Sequence, residues 1–227
     1  MAAKTTFIFD LDGTLIHSAP DLQAALNAAL QEIGRGPLDL STVITFVGNG
    51  VEKLVERGLT ATGGSSPDLH RATLEAFLQF YNENGVALTR IYDGVLDQLE
   101  RLTQAGKKLA ICTNKPHAPA RHICEELGLS RFFSVIIGAT ANQPKKPDPS
   151  SLQRAIRALG SNRTETIFVG DSAVDYRTAK AAHVDFWLYA GGYLNEELPA
   201  EGCARRFADW RAPDLFLDPP TSGTELA

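Results

Sequence analysis

Apolar positions in the first third of the chain change their spacing sharply. The run Phe7-Ile8-Phe9 is apolar without interruption, which suits a short strand buried on both faces. After Thr14 the spacing becomes helical: Leu22, Leu26 and Leu30 fall at i, i+4 and i+8, and Gly34 follows as a stop. Further helical patches cover residues 40–46, 50–59 and 67–81, broken by Gly48-Asn49-Gly50 and by Gly63-Gly64-Ser65-Ser66-Pro67. No strand is read between residues 16 and 89, which therefore form a small all-helical unit.

Beyond Tyr92 the pattern alternates. It predicts a helix over 94–105, a strand over 108–112, a helix ending at Gly128 and a strand over 135–137. The next helix takes Asp148 as cap and Pro149 at its first position, with Leu152, Ile156 and Leu159 on one face and Gly160 as stop. A strand over 166–169, a helix over 173–182 and a strand over 186–189 follow. A short helix is expected near 207–210, and the tail Pro219-Pro220-Thr221-Ser222-Gly223 reads as loosely ordered. Alternation of this kind implies an α/β fold, with crossovers returning onto one Rossmann-like parallel sheet. Residues 1–15 and 90–227 are expected to form that core, and residues 16–89 an inserted helical cap above the carboxyl edge of the sheet.

Composition narrows the partners. The 227 residues are 44% hydrophobic and 22% charged, with a formal net charge of −5. That balance argues against a nucleic-acid groove or an anionic membrane as main partner, and leaves a small anionic molecule. Cys112, Cys124 and Cys203 lack metal-site or disulfide-framework spacing. With no signal peptide and no apolar run approaching about 18 residues, a cytoplasmic protein is expected, as a monomer or a dimer.

Three of the apolar runs end in polar residues at the same relative place. The first leads into Asp10-Leu11-Asp12-Gly13-Thr14, the second into Thr113-Asn114, and the fourth into Gly170-Asp171-Ser172-Ala173-Val174-Asp175. The loop after the third carries Lys145-Lys146-Pro147-Asp148-Pro149. In a parallel sheet these ends share one edge and converge on one cleft. Asp10, Asp12, Asp171 and Asp175 gathered there need a counter-ion, and an all-oxygen set points to Mg²⁺.

In this order the motifs resemble those of the haloacid dehalogenase-like phosphohydrolases, and the resemblance extends to about Tyr189. It implies that Asp10 is the nucleophile that becomes an aspartyl-phosphate and that Asp12 serves as general acid and then base. Asp10, the backbone carbonyl of Asp12 and Asp171 would hold Mg²⁺. Asp175 would act through a water or by orienting Lys146, and Thr113 and Lys146 would bind the phosphoryl oxygens. Lys145 competes for the lysine role, but the following Pro-Asp-Pro favours Lys146. Asp175 also reads as a first-turn helix acid, Asn114 as a loop or capping residue, and Cys112 as a small buried hydrophobe. His17 stands where similar phosphatases often carry Asp, and reads as a hinge or surface residue rather than an acid-base group.

The residues around Ser18-Ala19-Pro20-Asp21-Leu22 and Gly48-Asn49-Gly50-Val51-Glu52-Lys53-Leu54 look most like the phosphoglycolate phosphatase branch. There Gly48, Asn49, Gly50 and Lys53 would meet the far end of a small phosphorylated metabolite, although an ordinary turn between two helices fits the same residues. A sugar or amino-sugar phosphatase, a phosphosugar mutase and a binding module with a vestigial site are the other readings.

Overall fold

The computed structural model describes residues 3–84, 86–194, 196–199, 202–212 and 215–216. The expected loose tail at 219–223 lies outside them. β1 (Thr6–Phe9) occupies the middle of a six-stranded sheet with β4 (Lys108–Pro116), β5 (Val135–Ala139), β6 (Thr166–Gly170), β7 (Asp185–Tyr189) and β8 (Arg205–Phe207). The order is β5-β4-β1-β6-β7-β8, and every neighbouring pair is parallel.

The two-sided burial of β1 follows from its pleat, because successive side chains point to opposite faces. Phe7 and Phe9 enter an apolar layer with α5 (Val95–Gln104) and α6 (His117–Glu126). Ile8 enters the other layer, with α7 (Ser150–Ala158) and α8 (Ala173–Ala182). Both layers need apolar partners, so the strand cannot alternate with polar residues. Its first polar side chains after Thr6 are those where it leaves the sheet, at Asp10 and Asp12.

Between Thr14 and Tyr92 the chain forms α1 (Ala19–Glu32), α2 (Leu40–Ile44), α3 (Val51–Ala61) and α4 (Pro67–Asn84). Leu22, Leu26 and Leu30 join Leu54, Leu59, Phe77 and Tyr81 in a separate apolar cluster. On the strength of these separate cores we propose the division into a helical cap at 16–89 and an α/β core built from 1–15 and 90–227. The two connections form a ribbon absent from the sequence reading: β2 (Ile16–His17) pairs antiparallel with β3 (Arg90–Ile91). Asp21 fastens it, accepting hydrogen bonds from the Leu88 and Thr89 amides and the Thr89 hydroxyl.

Three expectations are corrected. The helix expected near 207–210 is instead strand β8 followed by a turn, because Arg205, Arg206 and Phe207 find a free edge beside β7. β4 does not stop at Cys112 but runs through Thr113 and Asn114 to Pro116. The helix expected to begin at Pro149 begins one residue later. Its N-cap is Pro149, while the Asp148 carboxylate still accepts from the Ser150 amide at 2.8 Å. Among the described residues no helix is long and apolar enough to cross a membrane.

Phe9 is fully buried and its ring lies 6.0 Å from those of Phe133 and Phe216. Phe9→Ala is expected to lower unfolding free energy by about 3–5 kcal/mol, measured by urea denaturation followed by circular dichroism.

Candidate active site

The carboxyl ends of β1, β4 and β6 meet beneath the cap. Asp10 leaves β1 with its amide still bonded to the Val169 carbonyl, 2.9 Å away. Its carboxylate therefore points out of the sheet edge as an extension of the strand. Lys146 reaches it from the loop before α7, with Nζ 2.9 Å from Asp10 Oδ1 and 2.6 Å from Asp175 Oδ1. Lys145, the preceding residue in the same loop, instead pairs with Glu52 of the cap at 2.7 Å, half-exposed.

Asp175 makes two kinds of contact. Its Oδ2 accepts from the Ser172 amide while the Ser172 hydroxyl caps the Asp175 amide, forming a capping box at the start of α8. Its Oδ1 holds Lys146. Asp171 is gripped from two other sides: Thr14 donates its hydroxyl to Oδ1 at 2.6 Å, and the Tyr193 amide donates to Oδ2 at 2.8 Å. The turn after Asp12 must contain Gly13. Its φ is +85°, and a Cβ there would lie 2.3 Å from Asp171 Oδ2. Gly192 closes in from the other side, where a Cβ would stand 2.4 Å from Asp171 Cβ.

Asp10, Asp171 and Asp175 are all buried and offer oxygens within 4.8 Å of one another. At an effective dielectric of about 20, two unit charges at that separation repel by about 3–4 kcal/mol. Burial first, and Asp175 second, push the Asp10 carboxyl up to about 7 against the opposing pull of Lys146. Burial first, then Asp175 and Asp10, raise Asp171 well above the usual carboxylate range. Burial alone would lower the Lys146 ammonium, but Asp10 and Asp175 outweigh it and keep it charged. One ammonium does not balance three carboxylates, so the donor set fits a hard divalent cation, and Asp10 and Asp171 have carboxylate oxygens that could hold it. Asp175, committed to Lys146 and the α8 cap, stands behind them.

Asp12 lies on the side of the cleft toward the cap. It accepts from Ser18 at 2.5 Å and from Lys115 Nζ at 3.0 Å. Thr113 accepts the Lys115 amide on its hydroxyl oxygen, 3.1 Å away, which leaves the hydroxyl proton free for a ligand. Asn114 is spent on architecture. Its carbonyl oxygen accepts the Lys146 amide, and its amide nitrogen donates to the carbonyls of Lys146 and of Gly48 in the cap. A cavity of about 30 Å³ separates the acids from the cap and is walled by Asp10, Asp12, Thr113, Asn114, Lys115 and, from above, Leu22, Val47, Gly48, Gly50, Val51 and Leu54.

Gly48 and Gly50 thus face the acids, but the Asn49 side chain turns back to Arg57 at 2.9 Å, and Lys53 pairs with Glu56 on the exposed side of α3. His17 sits in the ribbon with Nδ1 2.9 Å from the Tyr193 hydroxyl, and burial lowers its pKa. Cys112 is fully buried, and that burial pushes its thiol up to about 11, as for an inert core residue.

Sequence reasoning passed over Lys115, Thr14, Ser18 and Tyr193. Lys115 was within reach: along an extended strand Thr113 and Lys115 point the same way, by the period-2 argument that pairs Asp10 with Asp12. Tyr193 carries no such signal, since it meets Asp171 only through the folded loop after β7.

The family model for haloacid dehalogenase-like hydrolases matches residues 7–189. A Cereibacter sphaeroides protein named phosphoglycolate phosphatase is 42% identical over 200 residues, covering 86% of this chain and 90% of that one. Pseudomonas aeruginosa phosphoglycolate phosphatase 1 is 35% identical, with 93% and 84% covered. The crystal structure of a predicted phosphoglycolate phosphatase from Haemophilus somnus superposes with a TM-score of 0.86 at 28% identity, covering 93% and 96%.

The crowded carboxylates predict a pH effect that a cation reverses. Asp10 titrates near 7 in the folded protein and near 3.9 when unfolded, so the native state binds the extra proton. Without metal, stability is expected to fall as pH rises from about 4 to 7. Mg²⁺ at 100 times its dissociation constant is expected to add about 2.7 kcal/mol and to flatten that slope. Thermal melts across pH with Mg²⁺ or with EDTA measure both, and Asp171→Asn is expected to lose the Mg²⁺ response.

Proposed function

The chain belongs to the haloacid dehalogenase-like hydrolase family, and from that premise we propose that it hydrolyses 2-phosphoglycolate to glycolate and inorganic phosphate with Mg²⁺. As a phosphoric monoester hydrolase it acts on small phosphorylated molecules. The observation that carries the substrate reading is the cavity over Asp10 and Asp12, about 30 Å³ in volume and roofed by Val47, Val51 and Leu54. So little space holds only about two water molecules. A short leaving group fits beneath the cap in this position more readily than a sugar ring does.

In this mechanism the ester's phosphorus sits against Asp10. The Asp10 carboxylate attacks it, forming an aspartyl-phosphate while the bond to the leaving oxygen breaks. Asp12 gives a proton to that oxygen. It then takes one from the water that attacks the acyl phosphate, which restores Asp10 and releases phosphate. Thr113 donates its hydroxyl and Lys146 its ammonium to the phosphoryl oxygens. Asp10, the Asp12 carbonyl and Asp171 would hold Mg²⁺, which when bound would supply positive charge against the repulsion between nucleophile and phosphate. Ser18, 2.5 Å from Asp12, keeps the acid-base carboxyl facing the leaving group. Asn114 ties the Lys146 backbone to the cap's Gly48, so the phosphate-binding lysine and the lid are placed together. The cap excludes bulk water from the covalent intermediate.

Asp10→Asn is expected to lower kcat by about 10⁴-fold or more, and Asp12→Asn by about 10²- to 10⁴-fold. Phosphate release from a panel of esters is expected to give a kcat/KM for 2-phosphoglycolate at least about 100-fold above those for sugar phosphates, the discrimination of a few kcal/mol that a fitted pocket provides. A flat panel would overturn the substrate, and full activity in Asp10→Asn would overturn the nucleophile.

A further inference from the structure

Besides the two acids, the cavity between Asp12 and the cap has one charged side chain in its wall, Lys115. It is almost wholly buried, with 3% of its side chain exposed. Its Nζ lies 3.0 and 3.3 Å from the two Asp12 oxygens and 5.2 Å from the centre of the Tyr81 ring. Burial works against its charge, but Asp12 and then Tyr81 restore it, and the ammonium stays protonated.

The other polar groups that might have served the cap side of the cavity are engaged elsewhere. Asn49 bonds Arg57, Lys53 pairs with Glu56, and Lys145 pairs with Glu52. Lys146 lies behind Asp10, held by Asp175. An ester with its phosphorus at Asp10 directs its leaving oxygen toward Asp12 and its remaining atoms toward Val47, Gly48, Gly50, Val51 and Leu54. A charged remainder would find apolar side chains there, and one ammonium.

We propose that Lys115 determines substrate choice: its ammonium pairs with the carboxylate of a two-carbon leaving group and seats that group against Asp12. This rests on the 2-phosphoglycolate reading and adds the residue that reads the far end of the molecule. Tyr81 gives the contact its selectivity. It comes from α4 of the cap and stacks on Phe77, with ring centroids 5.7 Å apart. Its ring shields the ammonium from water on one side, so the charge is open only toward the cavity and only while the cap covers the core. An ester whose far end is neutral gives this buried ammonium no anion beyond Asp12, so it gains less from the site than one that ends in a carboxylate. Until substrate arrives, Asp12 occupies that ammonium and both groups stay in register.

The test compares 2-phosphoglycolate with 2-hydroxyethyl phosphate, which has the same length and a neutral far end. The wild type is expected to favour the former, and Lys115→Met to reduce the ratio of the two kcat/KM values by about 10- to 100-fold, as loss of a charge-assisted hydrogen bond requires. Lys115→Arg is expected to retain most of the ratio. Because Lys115 also touches Asp12, both rates fall in Lys115→Met; the ratio separates recognition from an effect on the acid-base group or on folding, which would lower both rates equally. An unchanged ratio in Lys115→Met overturns the role of Lys115 alone, whereas a wild type without preference overturns the substrate reading as well. Should Lys115→Met fail to fold, Lys115→Gln gives the same readout. The wild type supplies another: inhibition by glycolate is expected to be at least about 10-fold stronger than by ethylene glycol, and equal inhibition overturns the proposal.

Discussion

Three buried carboxylates facing one buried ammonium set the terms for the rest of the molecule. Asp10, Asp171 and Asp175 lie within 4.8 Å of one another, and Lys146 bridges only two of them. Such a cluster survives because each acid is held by a different rigid element. Asp10 extends the central strand, Asp175 belongs to the first turn of α8, and Asp171 is clasped by Thr14 and the Tyr193 amide. The sheet supplies the rigidity, since β1 is buried on both faces and cannot shift without disturbing two apolar layers. The surplus negative charge suits the site to a divalent cation.

The same constraint reaches the cap. Tyr193 donates its amide to Asp171, and its hydroxyl accepts from the Ala19 amide at the start of α1 and meets His17 in the ribbon. One residue therefore connects the carboxylate cluster to the β2–β3 ribbon and to the start of α1. Asn114 makes the corresponding link on the other side, from Lys146 to Gly48. The exposed Lys145–Glu52 pair adds at most about 1 kcal/mol to closure, so the buried contacts matter more to where the cap settles.

Much of the site was legible from strand ends because a parallel sheet brings the carboxyl ends of its strands to one edge, however distant they are in the chain. Asp10, Thr113, Lys146 and Asp171 could be placed together on that rule. Lys115 was overlooked because β4 reads as ending at Cys112, whereas it continues extended to Pro116 and turns the third residue of Thr113-Asn114-Lys115 toward Asp12. Asn49 and Lys53 drew attention by their chemistry, yet their side chains find nearer partners in Arg57 and Glu56. Composition of a segment does not say which way its side chains turn.

The sequence by itself determined the class of fold, the insertion of a helical segment after the first strand, the family and the set of acids at the sheet edge. These follow from local periodicity and from the order of motifs, both of which are written along the chain. Tertiary structure decided which cation faces which acid, that the chain after Gly202 adds a sixth strand, and that the cap offers backbone and apolar surface to the cavity while the core supplies its ammonium. Several of those outcomes depend on contacts across more than a hundred residues, such as Asp12 with Lys115 and Asp171 with Thr14. There distance in space and competition among partners, rather than spacing in sequence, set the result.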